Sequence, residues 1–272
     1  SSLSQTQQCV SLKRRRIDQC IMDSFNGAPL SKCKANYTGL TPSQFLERSG
    51  TVHKERVAIV HGHRRISYGE FFLRSKLLAS ALVRRGLGHG DPIAVMLANT
   101  PEFLECLHGI PMMGGVINPL NTRLDAKNIA FCLRHGGAKL LIADTEFSTM
   151  VSAALELLQP NERPVVIDVD DEQADARGPH LGTTTYEELV AAGDMAFEVN
   201  DVADEWDALA LCYTSGTTAD PKGVVTHHRG TYLNALNNAL TWGIERHPVY
   251  LWTLPMFHCA GWCFPWTVTA LA

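Results

Sequence analysis

Short apolar runs alternate with stretches whose apolar residues recur every three or four positions. The first pattern predicts buried strands and the second amphipathic helices. Val57–His61 and Arg64–Ile66 flank Gly62-His63 and predict a hairpin. Ser67 and Glu70 have capping-box spacing, and Phe71, Ser75, Leu78 and Leu82 keep helical intervals up to Gly86. A strand is predicted at Ile93–Leu97. Thr100 as N-cap, with Pro101 in the first helical position, then opens a helix that stops near Gly114-Gly115. The rhythm continues with a helix around Ala126–His135, a strand at Lys139–Ala143, a helix through Thr145–Leu158 and a strand at Pro164–Val169. Acidic Asp170–Gly182 reads as a surface loop, and Thr185 and Glu188 cap a short helix ending near Gly193. Asp207–Tyr213 predicts a strand, Arg229–Trp242 a helix with Leu233, Leu236 and Leu240 on one stripe, and Val249–Leu254 a further strand. Strands separated by helices are βαβ units, so the expected class is α/β with a largely parallel sheet covered on both faces.

Composition narrows this. The 272 residues carry 24 Lys+Arg against 28 Asp+Glu, and a charge of −4 without a dominant basic face argues against nucleic acid as a partner. A hydrophobic share of 45% excludes a disordered chain or a small disulfide scaffold. The eight cysteines include no CxxC pair and suit free thiols in a reducing compartment. Residues 1–35 are polar, with Lys13, Arg14, Arg15 and Arg16 in a row, and read as a disordered extension ahead of the organised chain. Met22 is the first methionine and the expected natural start. After Arg246 no Asp, Glu, Lys or Arg occurs, but Pro248, Pro255, Pro265 and Gly261 interrupt the run, so a strand and buried loop are expected rather than a membrane span. The sequence stops inside this apolar stretch, and the fold is expected to continue past Ala272.

The stretch richest in chemistry is Tyr213-Thr214-Ser215-Gly216-Thr217-Thr218-Ala219-Asp220-Pro221-Lys222-Gly223. An apolar strand empties into small and hydroxyl-bearing residues. Uncovered backbone N–H groups, hydroxyls and one lysine suit a polyphosphate. A surface turn has the same composition, and composition alone does not separate the two. A Walker A loop needs Gly-Lys-Ser/Thr opening a helix, whereas Lys222 lies between Pro221 and Gly223, and Val224-Val225 read as strand. His258-Cys259 with Cys263 lack a fourth ligand, so no metal site is expected. His258 alone reads either as a pocket residue or as a buried histidine bonded to backbone.

The YTSGTT…PKG run resembles the signature of the adenylate-forming (AMP-binding) superfamily, which includes acyl-CoA synthetases. Leu254-Pro255-Met256-Phe257-His258-Cys259-Ala260-Gly261-Trp262 resembles its P-x-F-H-x-x-G segment. Tyr37–Pro42 with Phe45–Arg48, and Asn118–Leu124, are similar to plant acyl-activating enzymes. The resemblance covers about Asn36 to Ala272 and departs from the signature at Ala219, where glycine is usual. It implies the N-terminal part of the large domain, mostly parallel sheets flanked by helices, incomplete, without the C-terminal small domain. It also implies a ligase that activates a fatty or aromatic carboxylic acid with ATP and Mg2+ to an acyl-adenylate and passes the acyl group to coenzyme A, in the cytoplasm or peroxisome, with a homo-oligomer left open. Thr214, Ser215, Gly216, Thr217, Thr218, Lys222 and Gly223 would hold the phosphates, and His258, Gly261 and Trp262 the acyl pocket. The Tyr-Gly-x-Thr-Glu stretch, the ribose-binding aspartate and the late catalytic lysine of such ligases have no counterpart in these 272 residues. No catalytic residue is therefore assigned, and the chain alone is expected to be inactive. The alternative is a truncated, non-catalytic binding or interaction module.

Overall fold

The computed structural model describes residues 32–33, 35–199, 202–214 and 221–272. The chain divides into a unit ending at Thr38 and a large unit from Gly39 to Ala272. In the first, the Cys33 N–H donates to Asn36 Oδ1 at 2.8 Å and the Lys32 ammonium lies 4.0 Å from the centre of the Tyr37 ring.

The large unit follows the βαβ pattern. After helix α1 (Ser43–Val52), strands β1 (Val57–His61) and β2 (Arg64–Ser67) form the antiparallel hairpin expected around Gly62, whose φ of 54° suits a residue without Cβ. The Ser67 hydroxyl accepts from the Glu70 N–H at 3.2 Å and opens α2 (Tyr68–Arg84). Strand β3 (Pro92–Met96), helix α3 (Pro101–Met112), β4 (Val116–Pro119), α4 (Ala126–His135), β5 (Leu140–Asp144), α5 (Ser148–Glu156) and β6 (Val165–Val169) follow. Helix α6 (Tyr186–Ala191) carries the full Thr185–Glu188 capping box. Strands β7 (Ala208–Thr214) and β8 (Lys222–His227), then helices α7 (His228–Thr241) and α8 (Phe264–Ala270), complete the unit.

Six strands make one sheet in the order β6-β5-β3-β4-β7-β8. All neighbours are parallel except β8, which runs antiparallel to β7. Alternate residues feed opposite cores. Ile93, Val95, Leu140 and Ile142 join one apolar cluster, and Ala94, Met96, Leu141 and Ala143 join the other. Among the described residues Cys33, Cys106, Cys132, Cys212 and Cys263 are not joined in disulfides. Among the described residues no helix is long and apolar enough to cross a membrane.

Two expectations fail. Residues 249–254 form no strand. Their alternating apolar pattern needs a neighbour to complete its backbone hydrogen bonds, no described strand pairs with it, and Val249 and Leu251 are exposed. The leucine stripe of α7 also faces outward, with Leu240 82% exposed. Instead α7 buries Thr231 and Ala235, and the Thr267 hydroxyl of α8 donates to the Ala235 carbonyl at 2.9 Å. Small residues permit this close approach, and the larger leucines are left on the far side.

A buried ionic cluster ties three helices together. Arg74 of α2 donates from Nε to Glu105 Oε1 of α3 at 2.6 Å, and its fork grips Glu187 of α6 at 2.6 and 3.0 Å. The Tyr186 hydroxyl donates to Glu105 Oε2 at 2.8 Å. Burial pushes Glu105 up to about 7 although Arg74 pulls the other way. A carboxyl raised in the folded state stabilises it fully below the unfolded value, and this contribution is lost as pH climbs toward 7. Urea unfolding of the wild type is expected to show a contribution to stability from this group that falls as pH rises toward 7. Glu105→Gln should remove that slope, and an unchanged slope in the variant contradicts the assignment.

Candidate functional site

In a parallel sheet the strand ends gather on one edge, and ligands bind outside their carboxyl ends. Here β4 ends at Pro119 and β7 at Thr214, and a cavity of about 330 Å³ opens beside them. Its lining includes Asn121, Tyr213, Thr214, Val224, Thr226 and His258. Val224 and Thr226 share one face of β8 with Lys222, because alternate residues of a strand point the same way. Thr214 and Lys222 are partners in the β7–β8 ladder, and the Thr214 hydroxyl reaches the Lys222 carbonyl at 3.5 Å. Antiparallel pairing thus brings together two residues eight positions apart. Ser215, Gly216, Thr217 and Thr218 lie outside the described residues. Among the described residues the lining holds no carboxylate; its polar groups are those of Asn121, Tyr213, Thr214, Thr226, Thr231 and His258, and Lys222 lies next along β8, a set that fits an anion.

Gly223 pairs with Tyr213 across the ladder. A Cβ on Gly223 would stand 3.5 Å from Tyr213 Cε1 and 2.9 Å from Leu211 Cδ1, so the bare glycine makes room for a ring lying across it. Burial raises the Tyr213 phenol to about 12, and its hydroxyl is hydrogen-bonded to His135 Nδ1 at 2.8 Å.

The second half of the site is the segment 254–263. His258 is exposed, lines the cavity and stacks on Trp262 with ring centroids 6.5 Å apart and 13° between planes. That excludes the reading of His258 as a buried histidine. Trp262 is 58% exposed, and Ala260 and Cys263 rather than Gly261 and Trp262 line the cavity. Gly261 is buried, and a Cβ there would meet Pro265 at 3.1 Å and Trp252 at 3.3 Å. Ala260, Gly261, Trp262 and Cys263 hold φ of 44°, 60°, 54° and 65°. For the three non-glycines this left-handed turn costs on the order of 1 kcal/mol each.

Sequence reasoning missed the residue that holds this segment. Asn99, just past β3, donates from Nδ2 to the Leu254 carbonyl at 2.9 Å and accepts from the Met256 N–H on Oδ1 at 2.8 Å. Its side-chain amide imitates a strand neighbour for a segment that lacks one. An apolar strand followed by an asparagine before a helix cap was the only signal. His135, at the end of α4, was likewise invisible, because its partner lies 78 residues away.

A family model described as AMP-binding enzyme matches residues 46–272. The chain is 43% identical over 252 residues to the peroxisomal acetate/butyrate–CoA ligase AAE7 of Arabidopsis thaliana. It is 40% identical over 253 residues to the peroxisomal trans-cinnamate:CoA ligase of Petunia hybrida. Each match covers 89% of this chain and 44% of the relative, so the chain spans less than half the length of either. Among solved structures, the inhibitor-bound N-terminal domain of FACL13 from Mycobacterium tuberculosis superposes with a TM-score of 0.73 at 25% identity, covering 85% of this chain and 55% of that one. The O-succinylbenzoate coenzyme A synthetase MenE of Bacillus subtilis, in complex with ATP and magnesium ion, gives 0.65 at 25% identity, covering 83% and 54%.

The Asn99 clamp yields a test. Asn99→Ala removes both hydrogen bonds to the 254–256 backbone and is expected to cost roughly 1–2 kcal/mol in urea unfolding, with faster amide exchange at Met256. Unchanged exchange at Met256 contradicts the clamp.

Proposed function

Because the chain belongs to the AMP-binding enzyme family, we propose that its residues form the phosphate-binding and acyl-binding parts of an acid–thiol ligase. In the reaction a carboxylate oxygen attacks the α-phosphorus of ATP and the bond to the β-phosphate breaks, giving acyl-adenylate and pyrophosphate. The thiol sulfur of coenzyme A then attacks the acyl carbon, the bond to AMP breaks and the thiol proton is lost. The chemistry asks mainly for alignment and for positive charge where the phosphate negative charge grows.

The observation that carries this reading is the Thr214–Lys222 pair at the cavity edge. Lys222 supplies a mobile ammonium to the departing pyrophosphate, and Pro221 restricts the backbone just before it. The Thr214 hydroxyl and the donors of Ser215, Gly216, Thr217 and Thr218 take the remaining phosphate oxygens. When bound, Mg2+ neutralises part of the same charge. His258 faces the acid's carboxylate, and Trp262 holds the imidazole in place by stacking on it. Buried Gly261 allows the turn that brings the two rings together. The cavity, walled by Phe257, Trp266 and Cys263, accepts a small apolar monocarboxylic acid, short aliphatic or aromatic. Acetate/butyrate and trans-cinnamate are the acids in the names of the two plant relatives. Of the two places considered, peroxisome and cytoplasm, the peroxisome accords with the names of those relatives.

Calorimetry with inorganic tripolyphosphate tests the reading. Residues 1–272 are expected to bind it, and Lys222→Met to weaken binding roughly tenfold to hundredfold, the loss of a charge-assisted contact. Equal affinity of wild type and variant contradicts the assignment. The same preparation, given acid, ATP and coenzyme A, is expected to release no acyl-CoA, and measurable turnover overturns that part.

A further inference from the structure

Resting on the ligase reading above, we propose that His135 is a positioning residue for Lys222, acting through the Tyr213 ring. Tyr213 is the penultimate residue of β7, and its ladder partner Gly223 is the covalent neighbour of Lys222. The ring edge at Cε1 and Cζ lies over Gly223, at 3.5 and 3.6 Å from where a Cβ would stand. The angle of that ring therefore sets how closely the start of β8 approaches β7. A phenol ring on a strand end is free to turn unless its hydroxyl is caught.

His135 catches it. The hydroxyl and His135 Nδ1 share a hydrogen bond at 2.8 Å, and the two rings meet edge-on with centroids 5.8 Å apart at 76°. The imidazole is held in turn by Phe131, one helical turn earlier on α4, at 5.2 Å and 16°. Phe131 also presents itself to the Tyr213 ring at 6.3 Å and 81°. The end of α4 thus grips the strand end from which the signature segment departs. His135 is itself exposed, so its replacement leaves both apolar cores intact. Neither His135 nor Phe131 belongs to the signature, and no ligand contact is needed for the effect.

The test is calorimetry with inorganic tripolyphosphate on the full 272-residue chain, with melting curves as a check on folding. His135→Leu and Tyr213→Phe are each expected to weaken binding roughly three- to tenfold, the worth of one neutral hydrogen bond that orients a charge. The double variant should be no weaker than either single one, because both break the same link. His135→Gln, whose side-chain amide can accept from or donate to the phenol, should return affinity to near wild type, a rescue that a merely structural role does not predict. Wild-type affinity in His135→Leu, or losses that add in the double variant, overturns the proposal while leaving the Lys222 reading in place. No tripolyphosphate binding by the wild type overturns that reading and this proposal together.

Discussion

One reversal of direction organises the site. Five strands of the main sheet run parallel, and only β8 turns back, pairing antiparallel with β7. Parallel strands deliver their carboxyl ends to one edge, and a strand that returns from that edge begins where its partner finished. Thr214 and Lys222 are consequently neighbours by ladder geometry, without any contact of their side chains being required. Both stems of the hydroxyl-rich segment therefore lie side by side at the carboxyl end of β7.

The remainder of the fold supports that edge. Both faces of the sheet are packed with alternating residues of β3 and β5. Arg74 binds α2, α3 and α6 into one block through Glu105 and Glu187. Its charges are of both signs and are satisfied locally, so the cluster contributes rigidity and register more than net field. The cavity beside β7 has the opposite character. It is open, its described lining holds hydroxyls, an amide and an imidazole but no carboxylate, and Lys222 follows on the adjoining strand, an arrangement that suits an anionic ligand.

Much of this was legible in the chain because the signals are local. Ser67, Thr100 and Thr185 each cap the helix they precede, and the 57–66 hairpin follows from one glycine at positive φ. The strand entering the Tyr213–Gly223 segment and the strand leaving it were both readable from apolar runs. What escaped was decided by distant partners. A stretch such as 249–254 has strand character but no described strand beside it, and the side-chain amide of Asn99, 155 residues away, replaces one neighbour. On α7 the periodic leucines suggested the buried face, whereas helix contact through small residues turned Ala235 and Thr231 inward. Trp262 fits the family pattern by position, but four consecutive left-handed residues swing it outward against His258.

On the function proposed above, the β7–β8 reversal presents its stems to a polyphosphate. Hydrogen exchange of the backbone amides with and without magnesium–ATP tests this most directly. Protection rising over residues 212–226, with the β6 edge of the sheet unchanged, is the expected result. Protection confined to any other part of the chain, or none, contradicts the claim.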